Sequence, residues 1–327
     1  MKKAIWISWE HQRRSVTLAP MLVDEYFEFN YDSPALLRYS RCLFHTSRVL
    51  LSNRGSVVIV QNPSMILAFY AVIMRPLLSF RLIIDRHTDD FILDEGKGFL
   101  FRAFKLMSRV TLQYADFTIV SNHELAFLVS KSGGKALILP DPYPQVNEYL
   151  GLAPPIPAGT FSIFCVASWS NDEPLDAYIT AARELPDVKF TISGKPKGRH
   201  LCLLHSLPAN VECTGYMSDL EYYRAMASSH GVIAFTSNKA TLVCGGYEAI
   251  VLDKPFITGN SSVLRNYFEA AIFSDGSPAD LVEKILLMQN NYSEQKKKVH
   301  KFHLNSAAKW ENIFHEVKSQ IFMPNKS

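Results

Sequence analysis

The amino-acid sequence predicts an α/β protein built from two similar halves. Short apolar runs rich in β-branched residues alternate with longer amphipathic segments, which is the pattern of βα units around a parallel sheet. Most of these runs are uninterrupted, as expected for strands that helices cover on both faces. A proline-rich stretch at 140–144 and 153–157 separates the halves. The length of 327 residues fits two domains, at roughly 100–200 residues for each.

The first half contains five predicted strands with helices between them. The apolar runs predict strands at 4–8, 57–61, 81–85, 117–121 and 136–139. The amphipathic segments predict helices near 34–51, 65–77, 98–114 and 122–132. Proline cannot donate to a strand ladder and restricts the residue before it, so we expect regular structure to stop in the proline-rich stretch.

The second half repeats this alternation. Strands are predicted at 161–167, 189–193, 211–214, 231–235, 255–258 and 271–273. Helices are predicted at 175–184, 219–228, 245–252, 262–269, 279–289 and 295–322. We expect a first domain over 1–152, a second over 153–306, and a terminal helix at about 307–327 that packs back on the first domain. Ligands bind at the carboxyl ends of such strands, which predicts a cleft between the halves.

Composition excludes several classes of protein. The net charge of +3 does not indicate nucleic-acid binding, and no basic cluster with interleaved aromatic residues is present. The five cysteines form no C-x-x-C pair, so we expect neither a zinc site nor a disulfide framework, and a reduced cytosolic compartment fits. The apolar part of the N-terminus is too short for a signal peptide. Arg75, Pro76 and Arg81 interrupt the longest apolar stretch, so no transmembrane helix is expected.

The strongest local pattern begins at Cys244. Gly245 and Gly246 stand at the start of a predicted helix, and Glu248 is expected in its first turn. Glycines let the backbone approach a ligand closely, and the N–H groups of a helix start can bind a diphosphate. Glu248 is suited to accept hydrogen bonds from ribose hydroxyls. The alternative is a glycine turn in which Glu248 complements the helix dipole.

Two loops in the second half also follow predicted strands. Ser168 lies in the first loop and is suited to donate to a phosphate, although the same loop fits a helix start capped by Asn171 or Asp172. Lys195 lies in the second loop and is a cation suited to a diphosphate. The alternative for Lys195 is an ordinary solvated loop.

His87 is the predicted acceptor-side base in the first half. It follows an apolar strand, titrates near neutrality, and is suited to take a proton from an acceptor hydroxyl. Asp85 is the carboxylate expected to orient it, with Asp89 and Asp90 nearby. A histidine at a strand end is also commonly structural, and that alternative stays open.

A second polar segment follows the first strand. Glu10 and His11 are rival bases there, and Arg13 and Arg14 are suited to bind a phosphate on the acceptor.

Basic residues are concentrated before Asp85. No acidic residue lies between Asp32 and Asp85, and such a basic, apolar stretch fits contact with an anionic membrane, at about 1 kcal/mol per cation. A solvated helix face is the alternative. The cations are Arg38, Arg41, Arg48, Arg54, Arg75 and Arg81.

These motifs resemble those of GT-B glycosyltransferases, in particular the large retaining family four and its relatives. In that family a Glu-Gly-Phe-Gly segment, four further residues and a second glutamate precede a helix and the phrase Gly-Lys-Pro-Val-Ile. Glu248 stands at the second glutamate, and 253–257, Asp-Lys-Pro-Phe-Ile, matches the phrase. Residues 215–223 are similar to a family stretch whose backbone lies near the nucleotide base.

A closer likeness is to the β-mannosyltransferases that extend chitobiosyl-diphosphodolichol, and to their bacterial relatives. The resemblance covers most of the chain and is densest over 161–273. Six segments are similar to that group's landmarks and occur in the same order: 61–63, 84–88, 115–116, 120–122, 140–142 and 168–173.

The resemblance implies a GT-B fold, with two Rossmann-like domains facing each other across a cleft. It implies transfer of a hexose from a UDP- or GDP-linked donor to a lipid-linked or glycan acceptor, in cell-surface polysaccharide or glycolipid synthesis at the cytoplasmic membrane face. It implies neither a metal ion nor a further cofactor. The residues implied are Ser168, Trp169, Gly194, Lys195, Tyr216, Cys244, Gly245, Gly246, Tyr247 and Glu248 for the donor, His11, Arg13, Arg14 and Asn62 for the acceptor, and His87, Asp85 and Glu10 for catalysis.

Departures from the family pattern leave alternatives open. Ala240 stands where the family has its first glutamate, which favours an inverting reaction with His87 as base. Trp169, Asp172 and Glu173 occupy the region of the family's diphosphate-binding Arg and Lys. A catalytically inactive partner subunit is therefore an alternative, as is an epimerase or phosphorylase on the same fold.

Overall fold

The structure is a computed structural model that describes residues 3–62, 64–88, 92, 98–146, 149, 155–156 and 159–323. The chain forms two compact units. Unit 1 comprises Met1–Pro142 with Lys309–Ser327, and unit 2 comprises Tyr143–Ala308. The first division between the units falls at 142/143, where the sequence predicted 152/153. Most of the 153–157 linker lies outside the described residues, as do Asp89 and Asp90.

Unit 1 contains a six-stranded parallel sheet in the order β2-β1-β3-β4-β5-β6. Every residue of β1 and β3 is buried, as their uninterrupted apolar runs predict. The strands are β1 (Ala4–Ser8), β2 (Glu25–Glu28), β3 (Val57–Asn62), β4 (Arg81–Arg86), β5 (Phe117–Val120) and β6 (Ala136–Ile138).

The helices of unit 1 lie on both faces of this sheet. Leu50 of α2 and Leu67 of α3 pack on one face, together with Val58 and Ile84. Leu18 of α1 packs in the core on the other face. The helices are α1 (Arg13–Leu22), α2 (Ala35–Ser52), α3 (Met65–Leu78), α4 (Phe99–Tyr114) and α5 (His123–Lys131).

Two elements of unit 1 have no counterpart in the sequence prediction. Helix α1 begins with two arginines and contains Pro20, so its apolar periodicity is weak. Strand β2 has the sequence Glu-Tyr-Phe-Glu and is partly exposed at the sheet edge, so it forms no apolar run. Both contact the rest of the unit, since β2 pairs with β1 and the apolar residues Leu18 and Leu22 of α1 are buried in the core.

Unit 2 contains a second six-stranded parallel sheet, in the order β12-β11-β10-β7-β8-β9. Its strands are β7 (Phe161–Val166), β8 (Val188–Ser193), β9 (Val211–Gly215), β10 (Gly231–Ala234), β11 (Phe256–Gly259) and β12 (Ile272–Ser274). Its helices are α6 (Leu175–Glu184), α7 (Asp219–Ala227), α8 (Cys244–Val251), α9 (Ser262–Tyr267) and α10 (Pro278–Asn290), with a 3-10 helix at Gly198–Ser206 that the sequence did not predict.

The last helix, α11, spans Tyr292–Phe322. Its residues from Lys309 onward belong to unit 1. There the indole N–H of Trp310 donates to the Pro140 carbonyl at 3.0 Å, and Phe314 is buried in the same core as Leu18. Among the described residues, no helix combines the length and apolar character needed to cross a membrane.

Candidate functional site

The glycines that begin α8 are positions of close packing. A Cβ added to Gly245 would lie 2.7 Å from the Ala234 Cβ and 2.8 Å from the Val166 Cγ2. A Cβ added to Gly246 would lie 2.8 Å from the Phe268 ring. Gly245 therefore lets the start of α8 lie directly against the carboxyl ends of β7 and β10, and Gly246 leaves room for the Phe268 ring. Close packing alone explains why both positions are glycine. The predicted role of the two glycines in binding a diphosphate therefore stays a prediction.

Glu248 lies deeper in the helix than predicted. The first turn of α8 contains no acidic residue, and Glu248 is the fifth residue of the helix. Its side chain is only 2% exposed. It accepts hydrogen bonds from the hydroxyls of Tyr222, at 2.6 Å, and Tyr223, at 3.4 Å. Both tyrosines belong to α7, so Glu248 joins α8 to the neighbouring helix.

The other residues predicted around α8 differ in exposure. Tyr247 is buried, and its ring packs edge-on or tilted against Tyr143, Tyr267 and Phe268. Cys244 is exposed at the helix start. Tyr216, which follows β9, is 90% exposed. The structure therefore places Tyr247 in the core of unit 2, and its predicted contact with the donor stays a prediction.

The loop after β7 is closed by its own carboxylate. Glu173 accepts hydrogen bonds from the Ser168 backbone N–H at 2.9 Å, the Ser168 hydroxyl at 2.8 Å and the Ser170 N–H at 3.3 Å. Trp169 has a φ of +59° and is buried, and its indole N–H donates to the Ser193 carbonyl at 2.9 Å. Ser168 was predicted to donate to a phosphate, and here it donates to Glu173.

Asp172 connects this loop to the loop after β10. It accepts from the Thr236 hydroxyl at 2.5 Å and from the Ser170 hydroxyl, and its carbonyl accepts from the Ser237 N–H at 2.9 Å. Burial alone would raise the pKa of Asp172, but the hydrogen bonds from Ser170 and Thr236 hold that pKa below its ordinary value. Asp172 therefore stays ionised and positions the segment that leads into α8.

The loop after β8 requires a glycine next to the β7 loop. Gly194 has a φ of +81°, and an added Cβ would lie 2.1 Å from the Ala167 carbonyl oxygen. Lys195 follows and is exposed. It makes no ion pair with a described residue, which leaves its ammonium available to a ligand.

The Asp-Lys-Pro segment that follows α8 stabilises the end of the neighbouring helix α7. The buried ammonium of Lys254 donates to the carbonyls of Ala227, the last residue of α7, and Ser229, at 2.5 and 2.7 Å. Burial, and then the charge of Lys296, lowers the pKa of Lys254 to about 8. Lys254 thus holds the end of the helix that carries Tyr222 and Tyr223.

Asp253 occupies a backbone conformation that favours glycine. Its φ is +51°, and the resembling family has glycine at this place. Its carboxylate lies 2.9 Å from the His300 Nδ1 on α11. This contact gives the Asp253 side chain a partner at a position where glycine is otherwise favoured.

The carboxyl edge of the unit 1 sheet is organised by a buried arginine. The Arg14 Nε donates to both oxygens of Asp85, at 2.9 and 3.2 Å. Its other two nitrogens donate to Asp141 and to the Leu139 carbonyl. Burial alone would lower the pKa of Arg14, but Asp85 and Asp141 together raise it above its ordinary value. Arg14 thus joins α1 to β4 and to the segment after β6, and its predicted contact with an acceptor phosphate stays a prediction.

The same ion pair changes the predicted role of Asp85. The sequence predicted that Asp85 orients His87, but the structure pairs Asp85 with Arg14, whose Nε–H group is shared between the two carboxylate oxygens. His87 follows β4 and is half-buried. The rival base Glu10 is exposed, and exposed His11 lies 3.1 Å from Glu28. His87 therefore stays the predicted base, but Asp85 is not the carboxylate that orients it.

A row of buried polar side chains lies at this edge, and most of them were not predicted. Gln61 accepts from the Ser8 hydroxyl, and Arg86 donates to Ser108 on α4 at 3.0 Å. Asn62, predicted to bind the acceptor, is 2% exposed. The side-chain amide nitrogens of Gln61 and Asn62 have no hydrogen-bond partner in the described part of the chain. The signal in the sequence was a polar pair at the end of an apolar strand.

Comparisons with solved structures decide the fold. A sucrose-phosphate synthase from Thermosynechococcus elongatus superposes with a TM-score of 0.76 at 10% identity, covering 98% of both chains. The chain has the GT-B fold. Anabaena HepE, solved with UDP-glucose, gives 0.72 at 12% identity and 98% of both chains. WaaG, a glycosyltransferase involved in lipopolysaccharide biosynthesis, gives 0.68 at 13% identity, covering 98% of this chain and all of WaaG.

These likenesses concern the whole GT-B chain and confirm the predicted fold class. No family model matches the sequence, and no curated protein matches it. The identities of 10–13% carry the fold alone. The closer likeness to β-mannosyltransferases stays a prediction.

Proposed function

We propose that this GT-B chain is a glycosyltransferase that moves a hexose from a nucleotide-diphosphate donor to a lipid-linked or glycan acceptor. Such a reaction would serve the synthesis of cell-surface polysaccharide or glycolipid at the inner face of the membrane. The observation that carries the proposal is the buried Glu248, held by Tyr222 beside the start of α8 in a GT-B fold. Neighbours solved with UDP or UDP-glucose favour UDP over GDP as the nucleotide.

The donor is proposed to bind unit 2. Val243, at the N-cap of α8, has no side-chain acceptor for the N–H groups of the first turn. A diphosphate would supply that acceptor, as anions do at helix N-termini. Glu248 would accept hydrogen bonds from the ribose, and the exposed Lys195 would add a cation. This arrangement implies no metal ion.

The acceptor is proposed to bind at the carboxyl edge of unit 1. Gln61 and Asn62 present buried amide donors there. Buried donors without partners are costly, so a ligand that accepts from them would be bound selectively. His87 would remove the proton from the attacking hydroxyl in an inverting reaction.

Calorimetry with UDP and GDP tests the donor proposal. Binding of UDP to the wild-type chain is expected, and Glu248→Gln should weaken it at least about tenfold because one charged hydrogen bond is lost. Glu184→Gln, at an exposed position at the end of α6, is the matched control and should bind as wild type. Absence of binding by either nucleotide, with the fold intact, would reject the proposal.

That negative result would favour a second function, a catalytically inactive partner subunit. The observation behind it is Ala240, which is buried where the family has a glutamate toward the donor sugar. An alanine there provides no hydrogen bond to a sugar hydroxyl.

A further inference from the structure

The outer surfaces of α2 and α4 carry the same unusual pattern. On α2 the residues Leu37, Arg41, Phe44, Arg48 and Leu51 follow at helical spacing, and all are exposed. The repeat alternates apolar and cationic side chains along one stripe. Phe44 is 60% exposed, and Arg48 lies over its ring at 5.9 Å.

Helix α4 repeats this stripe. Phe99, Arg102, Leu106 and Arg109 follow at the same spacing and are exposed, Phe99 to 85% and Leu106 to 63%. Helices α2, α3 and α4 contain three, one and three Lys or Arg residues, and no Asp or Glu. A solvated helix face ordinarily carries both signs of charge and few large apolar side chains.

Both stripes lie on one face of the unit 1 sheet. The chain moves in the same direction along the strand order from β2 to β3, from β3 to β4 and from β4 to β5. Right-handed crossovers therefore place α2, α3 and α4 in one layer. Contacts of α3 with both neighbours agree with this placement. We call the two stripes together the α2–α4 face.

The structure also shows which arginines of the basic stretch before Asp85 are available to a ligand outside the protein. Arg75 pairs with Asp116 at 2.6 Å, and Arg81 donates to the carbonyls of Gln320 and Met323 on α11 or just after it. Other groups of unit 1 therefore already bind the guanidinium groups of these two arginines. Arg41 and Arg48 remain on the surface, and Arg102 and Arg109 join them from a helix that the stretch did not include.

We propose that the α2–α4 face docks on an anionic lipid bilayer, with its apolar side chains at the acyl boundary and its arginines among the headgroup phosphates. Binding at a membrane interface is strengthened by buried apolar area and by the attraction of Lys and Arg to anionic headgroups, and the α2–α4 face offers both. A second copy of the chain fits less well, because an isologous contact would oppose arginines to arginines. The inference deepens the proposed function, on which it rests for a lipid-linked acceptor.

Sedimentation of the full chain with vesicles tests this surface without donor or acceptor. Binding is expected with phosphatidylcholine that contains phosphatidylglycerol, not with phosphatidylcholine alone, and it should weaken as salt rises. Replacing Arg41, Arg48, Arg102 and Arg109 together by Gln should reduce binding at least about tenfold. The matched control replaces the four exposed lysines Lys296, Lys297, Lys298 and Lys301 of α11 by Gln and should retain binding.

A second variant separates apolar insertion from charge. Phe44→Ser with Leu106→Ser should lose the salt-resistant part of binding and leave the molecular mass in solution unchanged. Equal loss in the lysine control, or no binding to anionic vesicles at low salt, would overturn the proposal. A dimer that the Phe44/Leu106 variant dissociates would assign the face to self-association instead. If vesicles are not bound but UDP is, only the membrane inference fails.

Discussion

The Arg14 Nε donates to both carboxylate oxygens of Asp85, at 2.9 and 3.2 Å, in the interior of unit 1. Removing Asp85 would leave the buried Arg14 with one carboxylate partner, Asp141, in place of two. We expect Asp85→Ala to lower the free energy of unfolding by about 3 kcal/mol, measured by urea denaturation. Glu25→Ala is the control, since it breaks the exposed Lys3–Glu25 pair and should cost less than about 1 kcal/mol. Equal losses in the two variants would contradict a buried structural role for Asp85.

His87 is expected to carry the acceptor-side proton transfer. His87→Ala should lower kcat at least about 100-fold with little change in UDP affinity, because a general base contributes to the transition state rather than to donor binding. His205→Ala, at an exposed histidine of the 3-10 helix in unit 2, is the control. Near-normal turnover of the His87 variant would remove His87 from the reaction.

Glu173 is expected to oppose donor binding while it stabilises its loop. Its carboxylate accepts from Ser168 and Ser170 at the carboxyl end of β7, where a diphosphate would approach α8. Glu173→Gln removes that charge, so it should tighten UDP binding in calorimetry and lower stability by about 1–2 kcal/mol. Asp176→Asn, at an exposed position in α6, removes the same charge as a control. Weaker UDP binding by the Glu173→Gln variant would show that the carboxylate assists the ligand.

The sequence predicted the strands of both sheets apart from β2, because most of the interior strands are apolar runs with a signal of their own. It did not predict β2, whose edge position leaves it partly exposed, or α1, whose first turn contains the buried Arg14. Hydrophobic periodicity predicts that an arginine lies at the surface. Only the fold brings Asp85 and Asp141 to it, from positions far apart in the chain.

The same reasoning separates what was predictable in the donor site. The Gly-Gly segment and Glu248 were found from local spacing, and the helix predicted from Gly245 begins one residue earlier, at Cys244. Their partners were not found, because Tyr222, Phe268 and Lys254 contact them or their helices through tertiary packing. The motif identified the residues from the sequence. The packing adds that neighbouring side chains leave no room for a Cβ at either glycine, whether or not a ligand binds there.

We expect the Phe268 ring to prevent any residue larger than glycine from fitting at position 246 without strain. An added Cβ would lie 2.8 Å from that ring, so Gly246→Ala should cost about 1–3 kcal/mol in thermal or urea unfolding. Phe268→Leu in the same chain should return part of that loss by making room. If the double variant is folded but no longer binds UDP, the glycine also serves ligand approach. If Phe268→Leu rescues nothing, the packing explanation is wrong.

Lys254 is expected to make unit 2 more stable at alkaline pH. Burial lowers its pKa from 10.5 to about 8 in the folded chain. Between these values the unfolded chain holds more protons than the folded chain, so the free energy of unfolding rises with pH. Relative to Lys254→Met, which cannot titrate, wild type should gain up to about 3 kcal/mol from pH 8 to 10.5 and show no trend below pH 8. Urea midpoints of both proteins across this range measure the difference, and a difference that stays flat or falls as pH rises would show that the ammonium remains charged against the carbonyls of Ala227 and Ser229.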